Sequence, residues 1–505
     1  MAGSKGMSKV LVIGAGVGGM TAAARLAKSG HKVAIYEASA RTGGKCRTEW
    51  INGFAFDTGP SLLTLPAVYK DFFLKTGKRL EHVLNIIPVD PAFSYRFADG
   101  KEVIFSNLSH HKTRDAIVAA FGESAGNDWH KIMSRAERMW SASRVQFVES
   151  ELKSVFHLLK SKSLITDLIE IAPFTSLRKL TNRYTNSPYI RKIIDRYATY
   201  TGSDPRRVPA VLLTIAFVEE AFGAWHLKGG IGKLSEALEE RCRDLGVEIF
   251  LDTPVAEILH QKNQVTGILL KNGTQITADI VVANADSEII YSKLLPNKPK
   301  VTQKARRNLA KSIPSLSGFS LLIGLKADTS GGPSLSHHSV LFPENYDDEF
   351  DAIFKRKEPV PDPAIYICAP KDETMVQNPG DESIFVLVNA PLHEPEGGCD
   401  WNKPGLKESY AQLIIKKLAE RNVDIRERIS VMEIRTPADL EQSVNAPGGS
   451  IYGTSSNGAR SAFRRAKNRS PLKGLYCVGG SAHPGGGLPL VGISAEIVAN
   501  AIGKA

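Results

Sequence analysis

The sequence predicts an α/β protein in which a parallel sheet is interrupted by long insertions. Three observations carry this. Lys9 to Glu37 reads as strand, glycine turn, helix and strand; that regularity lapses from about Val89 to Leu227 in favour of long helical patterns; strand-linked glycine turns return at Trp225 to Leu234 and at Gly474 to Gly480. With 505 residues the chain has room for two to four cores at roughly 150 residues each. Apolar residues make up 42% and charged residues 23%, which excludes a mainly disordered chain. Five scattered cysteines with no C-x-x-C pair exclude a disulfide framework and a zinc cluster, and suit a reducing compartment.

The first element, Val10 to Ile13, is a short apolar run that passes directly into glycines. That reads as a buried strand and not as a secretory leader. Gly14, Gly16 and Gly19 match G-x-G-x-x-G, an alanine-rich helix follows (Met20 to Lys28), and a second strand, His31 to Tyr36, ends on Glu37. Each position has a mechanical reason: Gly14 for the tight turn, Gly16 for backbone approach to a pyrophosphate, Gly19 for close helix–strand packing. The helix N-terminus offers unpaired N–H groups and positive dipole to the phosphates, and Glu37 stands where a ribose-binding carboxylate belongs. Arg41, Gly43, Gly44 and Lys45 then place two glycines among cations, suited to a second phosphate contact or a flavin edge.

From that point the sequence resembles the flavoprotein family that includes amine oxidases, protoporphyrinogen oxidase and the bacterial-type carotenoid (phytoene) desaturases. E-x-x-x-R-x-G-G-[KR] is carried by Glu37, Arg41, Gly43, Gly44 and Lys45, and a D-x-G-P-like turn by Asp57 to Pro60. W-x-x-x-G-G-x-x-x-L followed by P-V-x-x-I is carried by Trp225 to Leu234 and Pro254 to Ile258. The run His483 to Pro489 (HPGGGLP) resembles the desaturase branch specifically, as do the stretches His337 to Phe342 and Phe385 to Pro391. The resemblance implies FAD, with Glu37 on the adenosine ribose and Arg41, Gly44 and Lys45 along the pyrophosphate and flavin. It further implies Gly59 near the isoalloxazine, Val255 holding the adenine, Gly480 at the pyrophosphate or ribitol, and Gly492 and Ile493 at a helix end facing the flavin. It also implies the fold in full: a Rossmann-like FAD-binding domain from three segments (7–88, 225–300, 455–505) and an inserted α+β substrate domain (89–224, 301–454) with a helical, membrane-facing part.

Lys and Arg number 64 against 53 Asp and Glu, a net charge of +11. Eleven of the cations and only five acids fall between Glu151 and Arg207, interleaved with Val155, Phe156, Leu158, Leu159, Leu164, Ile165, Leu168 and Ile169. Such a stretch suits an amphipathic helix lying in an anionic membrane surface, or equally a solvated basic face over a buried stripe. No run reaches the ~20 apolar residues of a membrane span, so the expectation is a peripheral protein on the cytoplasmic side, with no nucleic-acid partner.

By resemblance the substrate is a carotenoid or related long polyene, oxidised by hydride transfer to the flavin, with oxygen or a quinone as final electron acceptor. Glu149, beside Phe147 and Val148, is the candidate base, with Arg144 as its charge partner. No metal is expected, because adjacent His337 and His338 diverge and lack a third ligand at metal spacing. A carotenoid isomerase, a retinol-saturase-like enzyme and an amine oxidase share most of these motifs. A prenyl-binding chaperone shares the fold without flavin, and intact phosphate-loop glycines argue against it.

Overall fold

A computed structural model of the chain describes residues 6–152, 169–328 and 335–505. Two sheets organise it. The first is five-stranded and wholly parallel, in the order Leu475–Cys477, Ile280–Ala283, Lys9–Ile13, Lys32–Tyr36, Glu248–Phe250. Its central strand, Lys9–Ile13, is buried from Val10 onward, as a parallel strand covered on both faces must be. The helix Val17–Lys28 follows at once and packs beside Gly232–Asp244 and Leu488–Ile502. Ala22, Ala23 and Ala24 are fully buried, so the three helices meet without bulky side chains between them. Strands from residues 9–36, 248–283 and 475–477 thus share one sheet although hundreds of residues separate them.

The second sheet has seven strands, ordered Ile429–Arg435, Ser317–Leu325, Glu382–Ala390, Ile365–Cys368, His338–Leu341, Phe93–Arg96, Glu102–Phe105. All its pairings are antiparallel except that of His338–Leu341 with Phe93–Arg96. Both insertions therefore contribute to one sheet. On one of its faces Phe319 packs with Trp401 and with Tyr410, which the helix Leu406–Glu420 supplies, and all three rings are buried. Burial of each is worth about 1.5–3 kcal/mol. The first insertion adds helices Glu123–Ser143, Leu177–Tyr184, Pro188–Arg196 and Thr214–Phe222 around Trp129 and Tyr197.

Among the described residues no helix is long and apolar enough to cross a membrane. Of the apolar series in the basic stretch, Val155 to Leu168 lie outside the described residues. Its last member, Ile169, is 68% exposed.

Candidate functional site

One cavity of about 1870 Å³ runs between the two sheets. Gly14, Gly16, Glu37, Gly44, Lys45, Gly59, Val255 and Gly480 all line it, so residues from three distant segments meet on one surface. Gly19 does not line it but packs underneath, where a Cβ would strike the carbonyl oxygen of Gly14. That is the close helix–strand contact expected from the motif.

The centre of this surface is Asn284, which directly follows the strand Ile280–Ala283. Its backbone N–H donates to Ile13 O at 2.8 Å, and its side chain fills the space beneath the phosphate loop. A Cβ at Gly16 would lie 2.7 Å from Asn284 Nδ2, and one at Gly479 2.5 Å from Asn284 Oδ1. One half-buried amide therefore imposes glycine on the first and third segments together. Asn284 carries no motif, and its signal was its place directly after a strand that pairs with the first.

The Glu37 carboxylate accepts from Ala15 N–H at 2.6 Å and Ser39 N–H at 2.9 Å. Each oxygen keeps a free lone pair toward the cavity. Val255 adjoins this end: Thr253 N–H donates to Glu37 O at 2.7 Å, bringing Pro254 and Val255 alongside. Further in, Lys45 Nζ donates to Ser450 O at 2.9 Å and Ile451 O at 2.7 Å. Burial lowers its pKa to about 8, against a raising influence from Asp286. Arg465 donates to Gly480 O at 2.8 Å, and burial lowers its pKa to about 10. Asp286 supplies the carboxylate between these cations, and burial raises its pKa. Sequence reasoning missed Arg465, whose signal was the cationic run Arg460, Arg464, Arg465 early in the third segment, ahead of its glycine turn.

Two helix N-termini open on the same cavity. Val17–Lys28 begins after Gly16 and Leu488–Ile502 after Gly487, neither with a side-chain cap, and Gly16 to Gly18 and Gly487 to Val491 are lining residues. Uncapped N–H groups and aligned dipoles at both places favour phosphate and an electron-rich ring edge. The glycine cradle, the carboxylate at one end and the paired helix ends fit a dinucleotide such as FAD.

Four expectations need correction. Arg41 is 61% exposed and absent from the lining, pairing at 3.2 Å with Glu49 at the cavity's edge; the turn at Gly43 and Gly44 brings Arg47 to the lining instead. The last helix starts at Leu488, with Pro489 in its first turn, so its cavity-facing end is Gly487 to Val491. Gly492 and Ile493 lie beyond that lining, and Gly492 is turned toward Val68 and Tyr69. Arg144 and Glu149 form an ion pair at 2.5 Å, with side chains 50% and 37% exposed. The wide π-helical turn Arg144–Val148 directs Gln146, Phe147 and Val148 into the cavity and leaves the pair outside. Lastly, His337 and His338 do have a neighbour of ligand type. The antiparallel pairing sets Cys368 opposite His338, and one nitrogen of each histidine and the Cys368 sulfur lie within 4.8 Å of one another. Spacing along the chain hid a contact made across strands.

Beyond Ser61 and Leu488 the lining becomes apolar, with Trp140, Phe147, Ile171, Leu212, Ile215 and Val218. Phe174, 91% exposed, stands at its rim.

Residues 17–330 match the family described as flavin containing amine oxidoreductase. The chain is 32% identical over 505 residues to a 1-hydroxycarotenoid 3,4-desaturase of Flavobacterium sp. (strain P99-3), covering 98% of this chain and 99% of that one. It is 30% identical over 500 residues to a 4,4'-diapolycopene oxygenase of Methylomonas sp., covering 98% of each. Among solved structures, an oxidoreductase from Methanosarcina mazei superposes with a TM-score of 0.64 at 19% identity, covering 97% of this chain and all of that one. With the three-segment cradle in place, the chain belongs to the flavin-containing amine oxidoreductase family, among its FAD-dependent carotenoid desaturase relatives.

Proposed function

We propose that the chain is an FAD-dependent carotenoid desaturase that introduces C=C bonds into a long polyene. The observation that carries this is a single cavity joining a dinucleotide cradle to an apolar tunnel walled by Trp140, Phe147, Ile171, Leu212, Ile215 and Val218. A hydrocarbon chain suits that tunnel, and the desaturase relative named above is an enzyme of polyene chemistry. When bound, FAD supplies the two-electron oxidation by taking up hydride.

The remaining tasks fall to the protein. Glu37 would hold the adenosine ribose, Val255 the adenine edge, and Gly14, Gly16, Gly44, Lys45 and Gly480 the pyrophosphate and ribitol. Gly59 is pinned against the Lys45 carbonyl, where a Cβ would collide, and Pro60 and Ser61 beside it line the cavity, where they would face the flavin ring. The dinucleotide unit comprises 7–88, 225–300 and 455–505, and the polyene unit 89–224 and 301–454. Apolar walls exclude water and hold the chain extended for reaction. Phe174, Ile169 and Val145, each more than 60% exposed, would rest in the headgroup region of a membrane and admit the polyene from it. Oxygen or a quinone would then take the electrons.

The test is expression in a carotenoid-producing host, supplying phytoene or a partly desaturated hydroxylated carotene in turn. A red-shifted product lacking a pair of hydrogens is the expected result. A product of unchanged mass indicates isomerisation, and added oxygen indicates chemistry like that named for the Methylomonas relative.

A further inference from the structure

Desaturation must dispose of a proton as well as a hydride, and the cavity wall carries a chain of polar groups leading away from it. Ser61 Oγ and Tyr366 OH, both lining residues, lie 2.8 Å apart, and Tyr366 OH lies 2.8 Å from His338 Nδ1. His338 is fully buried between Phe93 and Tyr366, and its ring centre lies 4.5 Å from that of His337. The His337 ring in turn meets His226 at 5.0 Å, and His226 Nε2 bonds Asp372 Oδ2 at 2.9 Å. His226, His337 and Asp372 line a separate surface pocket. Nε2 of both His337 and His338 is buried with no hydrogen-bond partner, a costly arrangement for a purely structural pair.

We propose that Tyr366, His338, His337 and the His226–Asp372 pair form a proton exit path from the polyene cavity to that surface pocket; it rests on the desaturation reading. The step balances as follows. Hydride leaves one substrate carbon with both bonding electrons for the flavin. The adjacent carbon gives its proton to the Tyr366 oxygen while the Tyr366 hydrogen passes to His338 Nδ1, and the freed C–H electron pair becomes the second bond of the new C=C. His338 then releases a proton from Nε2 toward the adjacent His337 ring, whose centre lies 4.5 Å away.

A weak base suffices, because a C–H beside a polyene cation is strongly acidic. Burial pushes His338 well below the usual histidine range, with His337, Arg196 and His226 adding in the same direction, so a proton taken up there is quickly passed on. Burial likewise lowers His337 to about 3, with His226 and Lys371 lowering it further and Asp372 opposing. Burial opposes ionisation of Asp372, but hydrogen bonds from Thr374, Gly229 N–H and His226 outweigh it and bring it to about 2, a fixed anion at the outer end. Burial holds the Cys368 thiol protonated beside the path.

Tyr366→Phe keeps the ring that stacks on His338, and His338→Gln keeps a polar side chain. In the FAD-loaded full chain with polyene in vesicles, each should lower kcat about 100-fold with KM nearly unchanged, and abolish the solvent deuterium isotope effect of the wild type. In substrate-free protein, histidine C2-hydrogen exchange read by mass spectrometry should show the His338 titration moving in Tyr366→Phe. Unchanged kcat, a retained isotope effect, or stoichiometric metal released by His337→Gln would overturn the path. The exchange measurement needs no substrate. A coupled titration without polyene oxidation therefore overturns the desaturation reading alone, and polyene oxidation with uncoupled histidines overturns the path alone.

Discussion

Replacing Glu37 by Gln isolates the charge that closes the adenosine end of the cradle. The carboxylate accepts two backbone N–H groups, from Ala15 at 2.6 Å and Ser39 at 2.9 Å, one on each oxygen. An amide has one acceptor oxygen, so one of these donors loses its partner and meets an N–H₂ group instead. The ribose diol loses a charged acceptor at the same time. Hydrogen bonds to charged groups contribute about 1.5–3 kcal/mol, so FAD affinity should fall about 10- to 150-fold. Titration of the apoprotein with FAD, followed by quenching of flavin fluorescence, measures this directly. Glu236→Gln is the control, because Glu236 is 64% exposed and pairs with Lys233; its affinity should stay within about twofold. If Glu37→Gln also binds FAD within about threefold of wild type, the carboxylate is not at the ribose and the orientation assigned to the cofactor is wrong.

Further outcomes follow from the same geometry. His483 is kept neutral by burial, its pKa lowered from 6.5 to about 4, while its Nε2 donates to Ser150 O at 3.0 Å. Its contribution is therefore present above pH 6.5 and lost as pH falls toward about 4. His483→Gln should remove up to about 3 kcal/mol of that acid sensitivity, read from urea melts at several pH values; parallel wild-type and variant pH profiles would refute it. Phe174→Ser should weaken partition onto anionic vesicles on the order of 10-fold in sedimentation assays and leave FAD binding alone. Arg144→Gln and Glu149→Gln should each change stability by less than about 1 kcal/mol and leave turnover within about twofold, since an exposed ion pair is worth little; a large loss of turnover would restore Glu149 as a base.

What the sequence disclosed was whatever is local or glycine-dependent. The first strand, turn and helix were legible because Gly14, Gly16 and Gly19 have no other reason to stand at that spacing, and the last glycine run because it follows Leu475–Cys477 directly. Roles that depend on packing between segments were not legible. Asn284, Arg465 and the His338–Cys368 pairing act across separations of tens to hundreds of residues, and no periodicity records such contacts. Glu149 misled because its apolar neighbours, Phe147 and Val148, face the cavity from a π-turn while Glu149 itself turns outward. Helix periodicity cannot anticipate that extra residue per turn. Gly492 misled similarly: the helix begins a full turn earlier than the glycines suggested, because Pro489 is well suited to a first turn.

The most direct test is an anaerobic single turnover of the FAD-loaded chain with polyene in vesicles, following flavin absorbance and product mass together. The expected result is one flavin bleached for each C=C formed, with a red-shifted product lacking a pair of hydrogens. A product that appears while the flavin stays oxidised, with its mass unchanged or increased by oxygen, would contradict desaturation in this cavity.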